Sequence, residues 1–350
     1  MFENLVSLEN LFACWQEYRK GKNGEPDVQR FERHLEDNIF ALHGELRDQT
    51  YRHKPYSTFH IYDPKHRVIS KATVRDRLVH HAVFNELYKL FNPGFIYHSY
   101  SSRLERGTHL AVNNLSKSLR KVSRNYTRPV FALKCDIKKF FASVSHGKLL
   151  QIIESKIQDR RFLQLFREIV GSFSSTVDNH EQRERERELT GIPIGNLTSQ
   201  IFANIYLNEL DQFVKHRLCA KHYFRYADDF VIVHSDSGYL EKMKIEIESF
   251  LNNELALELH PDKVEIRKFS QGIDFLGYVV LPYHIVLRTK TKRRMFKKLF
   301  AKQKSLNEGL LEADSYHQSV QSYLGMLKHC NAHDMADSIK NNFLNTSTWA

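Results

Sequence analysis

The sequence contains little cysteine and no long apolar run. Its 350 residues include four cysteines, and none of them forms a C-x-x-C pair. Disulfide frameworks and zinc knuckles need closer, patterned spacing, so reduced thiols are the simplest interpretation. No apolar stretch approaches the ~20 residues of a membrane-spanning helix. The mean hydropathy of −0.50 agrees with a chain that does not span a membrane.

Targeting and histidine metal-ligand patterns are absent as well. The amino terminus lacks the basic start and the apolar core of a secretory signal, so we expect a cytoplasmic protein. The nineteen histidines include no H-E-x-x-H spacing. We therefore expect no zinc site of that kind, and most histidines should be structural or exposed.

Positive charge is in excess. Lysine and arginine number 52 against 41 aspartates and glutamates, which gives a net charge of +11. The hydrophobic content of 41% and aromatic content of 12% exclude a disordered chain. A chain this long buries a sizeable core and has room for several subdomains. A basic balance indicates an anionic partner, either nucleic acid or a membrane surface.

Much of that charge falls in one stretch. Residues 288–304 contain nine cations and no acidic residue. Neutralising several phosphates with such a helix predicts nucleic-acid binding with a steep salt dependence. A membrane-surface helix is the alternative, but we expect its few apolar residues to pack against protein. The nine cations are Arg288, Lys290, Lys292, Arg293, Arg294, Lys297, Lys298, Lys302 and Lys304.

Hydrophobic periodicity predicts a mixture of helices and strands. Apolar steps of three and four residues predict two helices within residues 1–50 and a long helix over 196–218. Apolar β-rich runs predict a strand at 130–136 and a hairpin at 223–234. The alternating charge run 181–188 indicates a solvated helix or loop. Short strands are expected near 264–269, 275–281 and 284–288.

Three aspartates carry the candidate chemistry. Asp136 ends the apolar strand 130–136, and Asp228 and Asp229 lie at the tip of the hairpin 223–234. If the hairpin pairs beside that strand, the three carboxylates converge, and such a cluster is stable only with a cation. Oxygen ligands without His or Cys suit Mg²⁺. A surface turn is the alternative for an isolated Asp-Asp pair, but the second strand ending in aspartate favours a metal site.

At these residues the sequence resembles a known family. Tyr226-Ala-Asp-Asp229 resembles the signature tetrapeptide of reverse transcriptases, and Asp136-Ile-Lys-Lys-Phe-Phe141 resembles their first catalytic block. The order and separation of the two blocks also fit, and the resemblance extends across nearly the whole chain. Further similar blocks are Lys65-His-Arg-Val-Ile-Ser70 with Asp76-Arg77, Ser99-Tyr-Ser-Ser-Arg103 with Gly107 and His109, and Phe275-Leu-Gly-Tyr278, which looks like the primer-grip hairpin.

The resemblance implies an α+β right-hand polymerase of the superfamily that includes group II intron reverse transcriptases. The expected parts are an N-terminal helical extension at 1–50, fingers at 51–128 and a ferredoxin-like palm at 129–282. The palm should carry a fingers insertion at about 150–190, and a short helical thumb should follow at 283–350. The implied activity is RNA-directed DNA synthesis by two-metal nucleotidyl transfer, with template RNA, a primer or its cDNA, and dNTPs as partners.

One block departs from the common family pattern. The stretch Gly191 to Gln200 has Ile194 where most members have glutamine, and Gln200 where most have proline. This variant resembles reverse transcriptases of diversity-generating retroelements, which copy RNA with frequent errors opposite adenine and work with a small oligomeric accessory variability protein. The short thumb also fits, and we expect no DNA-binding, endonuclease or RNase H domain after it.

Rival interpretations remain open. An antiphage defence system or a group II intron could use the same activity. A non-catalytic RNA-binding protein with a related sheet is the rival from another class. The three aspartates argue against that rival, since RNA-recognition sheets present aromatic side chains instead.

The resemblance also implies a role for each site residue. Asp136, Asp228, Asp229 and the Ile137 carbonyl are the expected ligands of two Mg²⁺ ions, with Mn²⁺ as a substitute. Lys263 is matched to the residue that protonates the leaving pyrophosphate, with a solvated loop lysine as the alternative. The implied dNTP-binding residues are Lys65, Arg67, Phe141, which should act as a steric gate against ribose, and Gln200. The implied template-primer residues are Arg103, Gly195, Ser199, Gly277, Tyr278, Arg288, Lys292, Arg293, Arg294, Lys297 and Lys298, and Tyr283 should also pack on the primer.

Overall fold

A computed structural model gives the fold of the chain. It describes residues 1–63, 65–173 and 189–344. Within these ranges, no helix is long and apolar enough to cross a membrane. The alternating charge run at 181–188, for which a solvated helix or loop is predicted, lies outside the described residues.

Helices form most of the described chain, and nine strands form three antiparallel sheets. The helices are α1 (Phe2–Val6), α2 (Leu8–Arg19), α3 (Pro26–Glu32), α4 (Leu35–Arg47), α5 (Val74–Phe91), α6 (Thr108–Val122), α7 (Phe140–Ser143), α8 (His146–Glu154), α9 (Arg160–Gly171), α10 (Leu197–Gln212), α11 (Ser237–Leu255), α12 (Thr289–Asn307), α13 (Ala313–Leu327) and α14 (His333–Ile339). The strands are β1 (Ser57–Ile61), β2 (Arg67–Lys71), β3 (Phe131–Asp136), β4 (Tyr223–Tyr226), β5 (Asp229–His234), β6 (Glu265–Lys268), β7 (Ile273–Phe275), β8 (Tyr278–Leu281) and β9 (His284–Leu287).

The central sheet has four strands in the order β4-β5-β3-β6. The predicted hairpin is present, because β4 and β5 pair antiparallel around a tight turn. β5 also pairs antiparallel with β3 over its whole length, in the register Phe131 with His234 through Asp136 with Asp229. The sheet therefore brings the two predicted apolar runs side by side.

Both faces of this sheet are covered, which explains why its two central strands, β3 and β5, are mostly apolar. Side chains alternate along β3, so Leu133 and Cys135 join one core while Ala132 joins the other. The first core is shared with α5, α10 and α11, and the second with α6, β8 and the helices that follow β9. Burial on two faces fixes the register of the strands. A slip of one residue would move the side chains of each core to the opposite face of the sheet.

The remaining two sheets flank the central one. β1 and β2 form a hairpin whose first strand is exposed along its entire length. β7, β8 and β9 form a three-stranded meander against the second core. The predicted single strand at 275–281 is wrong, because the left-handed residues Leu276 and Gly277 make a two-residue turn that divides it.

The N-terminal prediction of two helices is also wrong in detail. The apolar stripes are as predicted, but Ser7 interrupts the first helix and residues 33–34 interrupt the second. The Ser7 hydroxyl accepts a hydrogen bond from the Asn10 amide, so it begins a new helix as an N-cap. Side-chain capping here outweighs the continuous hydrophobic period.

Candidate active site

The three aspartates converge at one end of the central sheet. Asp136 is the last residue of β3 and lies directly opposite Asp229, the first residue of β5. Asp228 occupies the turn before β5, and its carbonyl accepts a hydrogen bond from the Ile137 amide at 3.3 Å. Ala227 adopts a left-handed conformation with φ of 51°, which tightens that turn. The predicted convergence of the carboxylates is confirmed.

The electrostatics of the aspartates are those of crowded, half-buried carboxylates. Burial, reinforced by the charge of Asp136, raises the pKa of Asp228. Burial and the charges of Asp136 and Asp228 raise the pKa of Asp229 to about 6. Each shift opposes full ionisation of the cluster, because like charges at short range disfavour the charged form.

Lys263 partly compensates this charge. Its ammonium Nζ donates to Asp136 Oδ1 at 2.6 Å, across 127 residues of sequence. Lys263 also lowers the pKa of Asp228, and so does the more distant Lys65 of the exposed hairpin. The alternative of a freely solvated loop lysine is therefore wrong for Lys263. Its role in proton transfer stays a prediction.

The donor set fits a divalent cation by its chemistry. Among the described residues, no three His, Cys, Asp or Glu side chains form a preassembled ion cluster, and Asp136 contacts Lys263 instead. The three carboxylates nevertheless suit such an ion. Mutual repulsion disfavours the state in which all three are ionised, and a hard divalent cation would balance their negative charge. The amide contact of Ile137 places this buried residue beside them. A metal role for its carbonyl stays a prediction.

A buried ion pair outside the predicted site residues supports the turn of Ala227 and Asp228. Arg225 in β4 makes a bidentate contact with Asp211 of α10 at 2.7 and 2.6 Å, and neither side chain is exposed. Arg225 also donates to Ser99 Oγ at 3.0 Å and to the Ala227 carbonyl at 3.3 Å, next to Asp228. A basic residue within an otherwise apolar strand, Tyr-Phe-Arg-Tyr, was the available signal.

The segment before α10 joins the exposed hairpin to the palm. The Ser70 amide donates to the Ile194 carbonyl at 3.0 Å, and Asn196 Nδ2 donates to the Ser70 carbonyl at 2.7 Å. Gly195 between them has φ of +114°, and a Cβ there would lie 2.7 Å from Cγ2 of Ile69. This close approach requires glycine. Gln200 is exposed in the first turn of α10.

The expected nucleotide-binding residues differ in environment. Lys65 and Arg67 are exposed on the hairpin of β1 and β2. Phe140 is buried at 2% exposure, whereas Phe141 is only partly buried and packs edge-on against it at 5.4 Å between centroids. The Phe141 carbonyl accepts from the Ile192 amide at 2.7 Å, which ties the residue to the segment before α10. Their contacts with dNTP stay predictions.

Three of the expected template-primer residues have internal environments. Tyr278 is 2% exposed and its hydroxyl donates to the Met326 carbonyl, so its ring packs within the protein, and a contact with the primer stays a prediction. Ser199 is likewise buried, with a hydroxyl that has no partner among the described residues. The Arg103 guanidinium is used within its own loop, where it donates to Asn92, to the Ile96 carbonyl and to the Ser99 carbonyl.

The basic stretch forms α12 as predicted. Met295 and Leu299 are buried in the second core and Phe296 packs against it, as expected for a stripe that faces protein, whereas Phe300 is 57% exposed. Arg288 pairs with Asp274, and Lys298 Nζ lies 2.5 Å from Asp63 Oδ2 in the loop between β1 and β2. The cations exposed on this helix include Lys292, Arg293, Arg294, Lys297 and Lys298. Gly277 lies in the turn beside the start of the helix, since its carbonyl accepts from the Arg288 amide.

Comparison with known proteins identifies the family. Residues 56–280 match the family described as reverse transcriptase (RNA-dependent DNA polymerase). The protein YkfC of Escherichia coli is 26% identical over 271 residues, covering 67% of this chain and 69% of that protein. The group II intron-encoded protein LtrA of Lactococcus lactis subsp. cremoris is 26% identical over 308 residues, covering 69% of this chain and 49% of that protein. The chain thus spans about half the length of LtrA.

A solved structure shows the same fold. The apo telomerase of Candida tropicalis aligns with a TM-score of 0.50 and 14% sequence identity, over 72% of this chain and 52% of that chain. The expected right-hand polymerase fold is confirmed.

The chain belongs to the reverse transcriptase family, and the predicted RNA-directed DNA polymerase is confirmed at that level.

Proposed function

We propose that Asp136, Asp228 and Asp229 form the catalytic centre of this polymerase and hold two Mg²⁺ ions. The single observation that supports this site is the register of β3 with β5, which sets Asp136 opposite Asp229 and beside the Asp228 turn. In the reaction, a primer 3′-hydroxyl attacks the α-phosphate of a dNTP and pyrophosphate leaves. When bound, the two metal ions would stabilise the attacking and leaving oxygens.

The protein's own contribution is positioning and charge. The sheet holds the carboxylates at fixed separation, and the buried Arg225–Asp211 pair fixes the turn that carries Asp228. Lys263 and Lys65 lie close enough to lower the pKa of Asp228, so both can also attract the triphosphate of a dNTP. The Lys263 ammonium lies at Asp136 and would supply the proton that the leaving pyrophosphate takes up.

A primer-extension assay tests this assignment. An RNA template with an annealed DNA primer is incubated with dNTPs and Mg²⁺, and wild type is compared with Asp228→Asn. Wild type should extend the primer, and the variant should lose extension by at least about a hundredfold. Asp236→Asn is the matched control, because Asp236 caps α11 outside the carboxylate cluster. Equal extension by Asp228→Asn would refute the site.

We further propose that synthesis is error-prone, as in diversity-generating retroelements. Gln200 is exposed at the start of α10, and Ile194 lies in the segment that carries the exposed hairpin. A side-chain amide near the nascent pair can offer hydrogen bonds to a mispair, whereas proline has no such donor. The accessory variability protein is a further proposed partner of this system.

The error spectrum tests the role of these two residues. Ile194→Gln combined with Gln200→Pro should lower misincorporation opposite adenine in sequenced cDNA. Errors opposite cytosine in the same reads serve as the internal control. An unchanged spectrum would count against the retroelement proposal.

A group II intron role is the second candidate, favoured by the similarity to LtrA. The neighbouring genes distinguish the two: a template-repeat and variable-repeat pair supports diversification, and intron sequence supports the rival.

A further inference from the structure

A basic surface at the end of α6 has no assigned role. Residues 106–135 contain no aspartate or glutamate, although they contain seven lysines and arginines. Four of these cations, Arg120, Lys121, Arg124 and Arg128, are exposed at the end of α6 and in the loop that follows it. None of the four has an acidic partner among the residues described. Their charge is therefore available to an external anion.

Two tyrosines in contact, Tyr126 and Tyr283, lie beside these cations. The rings of Tyr126 and Tyr283 are 4.3 Å apart between centroids, at an angle of 51°. Tyr126 is partly buried, and its ring centroid lies 6.0 Å from that of Phe269, so its ring packs against the second core. Tyr283 is 77% exposed and leaves most of its ring in solvent. An aromatic face framed by unpaired cations is a combination that suits an unpaired base and its phosphate.

The backbone that presents these side chains is held in an unusual conformation. Arg124, Asn125 and Tyr126 have consecutive φ values of 50°, 58° and 70°, and Tyr283 has φ of 73°. Left-handed backbone is unfavourable for residues other than glycine and persists where the surroundings fix it. Here the Asn125 amide donates to the Arg120 carbonyl at 2.9 Å, and Arg120 Nε donates to Asn125 Oδ1 at 2.8 Å. The loop is thus a fixed platform.

This surface lies away from the catalytic carboxylates. Arg128 precedes β3, which runs from Phe131 to Asp136 and spans about 17 Å. Tyr283 lies in the turn between β8 and β9, at the opposite end of β8 from the Gly277 turn beside α12. The loop and Tyr283 therefore lie at the ends of β3 and β8 that are remote from Asp136 and from the Gly277 turn.

We propose that Lys121, Arg124, Arg128, Tyr126 and Tyr283, the outer palm surface, bind single-stranded RNA outside the cleft. The cations contact phosphates, and the Tyr283 ring stacks on a base. The inference rests on the proposed function only in that the RNA would be template that has not yet entered the cleft. Charge complementarity and the stacking ring favour RNA over an anionic membrane, which would need apolar side chains to insert.

The charge contribution is tested with Lys121→Gln/Arg124→Gln/Arg128→Gln. The probe is a fluorescein-labelled single-stranded oligouridylate, and its affinity is measured by anisotropy from low to moderate salt. Loss of three phosphate contacts should reduce the slope of log K against log salt by about 2. The matched control is Lys20→Gln/Arg33→Gln/Lys242→Gln, which removes three exposed cations without acidic partners elsewhere on the described surface. An equal loss of slope in the control would overturn the proposal.

The stacking contribution is tested with Tyr283→Ala and Tyr283→Phe. Alanine should weaken oligouridylate binding by about fivefold to a hundredfold, while phenylalanine should retain it. Circular dichroism checks that the alanine variant is folded. Unchanged affinity, or weakened binding to anionic vesicles with RNA affinity intact, would contradict RNA stacking.

Extension of a short template–primer hybrid separates this inference from the proposed function. The hybrid fills only the cleft, so Lys121→Gln/Arg124→Gln/Arg128→Gln should extend it at the wild-type rate. A parallel loss of extension would place these cations in the cleft and overturn the inference. Conversely, Asp228→Asn should lose extension yet bind oligouridylate normally, and weakened binding by that variant would deny a separate RNA surface.

Discussion

Arg225 and Asp211 form an ion pair in which neither side chain has any solvent exposure. The pair joins β4 to α10, and the remaining guanidinium donors reach Ser99 and the Ala227 carbonyl. Tyr223 donates to the same aspartate at 2.8 Å. A fully hydrogen-bonded buried pair of this kind gives the turn of Ala227 and Asp228 one fixed position, because each displacement would leave a charge unpaired.

Replacing Arg225 should therefore damage stability and catalysis together. Arg225→Met leaves the buried Asp211 without its charged partner and with only the Tyr223 hydroxyl as a side-chain donor, so we expect a loss of about 3–5 kcal/mol in the free energy of unfolding. Urea denaturation measures this loss. Arg225→Lys retains the charge and should fold, yet its single ammonium cannot hold both Asp211 and Ala227, so kcat should fall more than KM for dNTP rises.

A surface pair is the control for that experiment. Arg161 pairs with Glu3 on partly exposed side chains, and Arg161→Gln should change the free energy of unfolding by less than about 1 kcal/mol. If Arg225→Lys turned over like wild type, the pair would support the fold but not the position of the catalytic turn.

Gly195→Ala should disturb the contact between the exposed hairpin and the palm. The added Cβ would lie 2.7 Å from Cγ2 of Ile69, at a φ of +114° that alanine disfavours. We expect a loss of more than about 1 kcal/mol in the free energy of unfolding and a raised KM for dNTP, because β2 carries Arg67. Gly44→Ala within α4 meets no atom within 4 Å and should be neutral or stabilising. Equal free energies of unfolding for the Gly195→Ala and Gly44→Ala variants would contradict a close contact between Gly195 and Ile69.

Lys263→Gln should slow nucleotide incorporation. The substitution removes the ammonium that contacts Asp136 and lowers the pKa of Asp228, and it removes the proposed proton donor to pyrophosphate. Single-turnover kinetics with excess enzyme should show a rate about a hundredfold lower, within the usual range for general acid catalysis. Lys263→Arg restores the charge, so a rescue to the wild-type rate would show that charge alone matters and that proton donation does not.

Phe141→Ala should relax the choice of sugar. Phe141 is the less buried member of the Phe140–Phe141 pair, and its backbone is tied to the segment before α10. We expect the ratio of kcat/KM for dNTP over rNTP to fall by at least about tenfold, because a hydrophobic ring no longer excludes the 2′-hydroxyl. Phe140→Ala is the comparison: it should destabilise the core by about 3–5 kcal/mol and leave the ratio unchanged. An unaltered ratio in Phe141→Ala would eliminate the gate.

Much of the site follows from local sequence. An apolar strand that ends in Asp136 and a hairpin with Asp228 and Asp229 at its tip predict one carboxylate cluster, because a sheet with two covered faces allows a single register. The helical pattern of α12 follows in the same way, since its buried residues recur at helical spacing.

The environment of single side chains does not follow from local sequence. Tyr278 sits in a motif that predicts a primer contact, yet its strand turns the ring into the second core. The local sequence around Lys263 is compatible with an exposed loop lysine. Only the fold brings its ammonium to Asp136, which is 127 residues away in the chain.

The sequence by itself determined the family, the three aspartates and the basic helix, because these depend on residue type and short-range period. The tertiary structure alone decided which cations are paired, as in Arg225 with Asp211, and which are free, as in Arg124 and Arg128. The physical reason is that burial and ion pairing depend on partners that are distant in the chain. The net charge of the sequence contains no information about those partners.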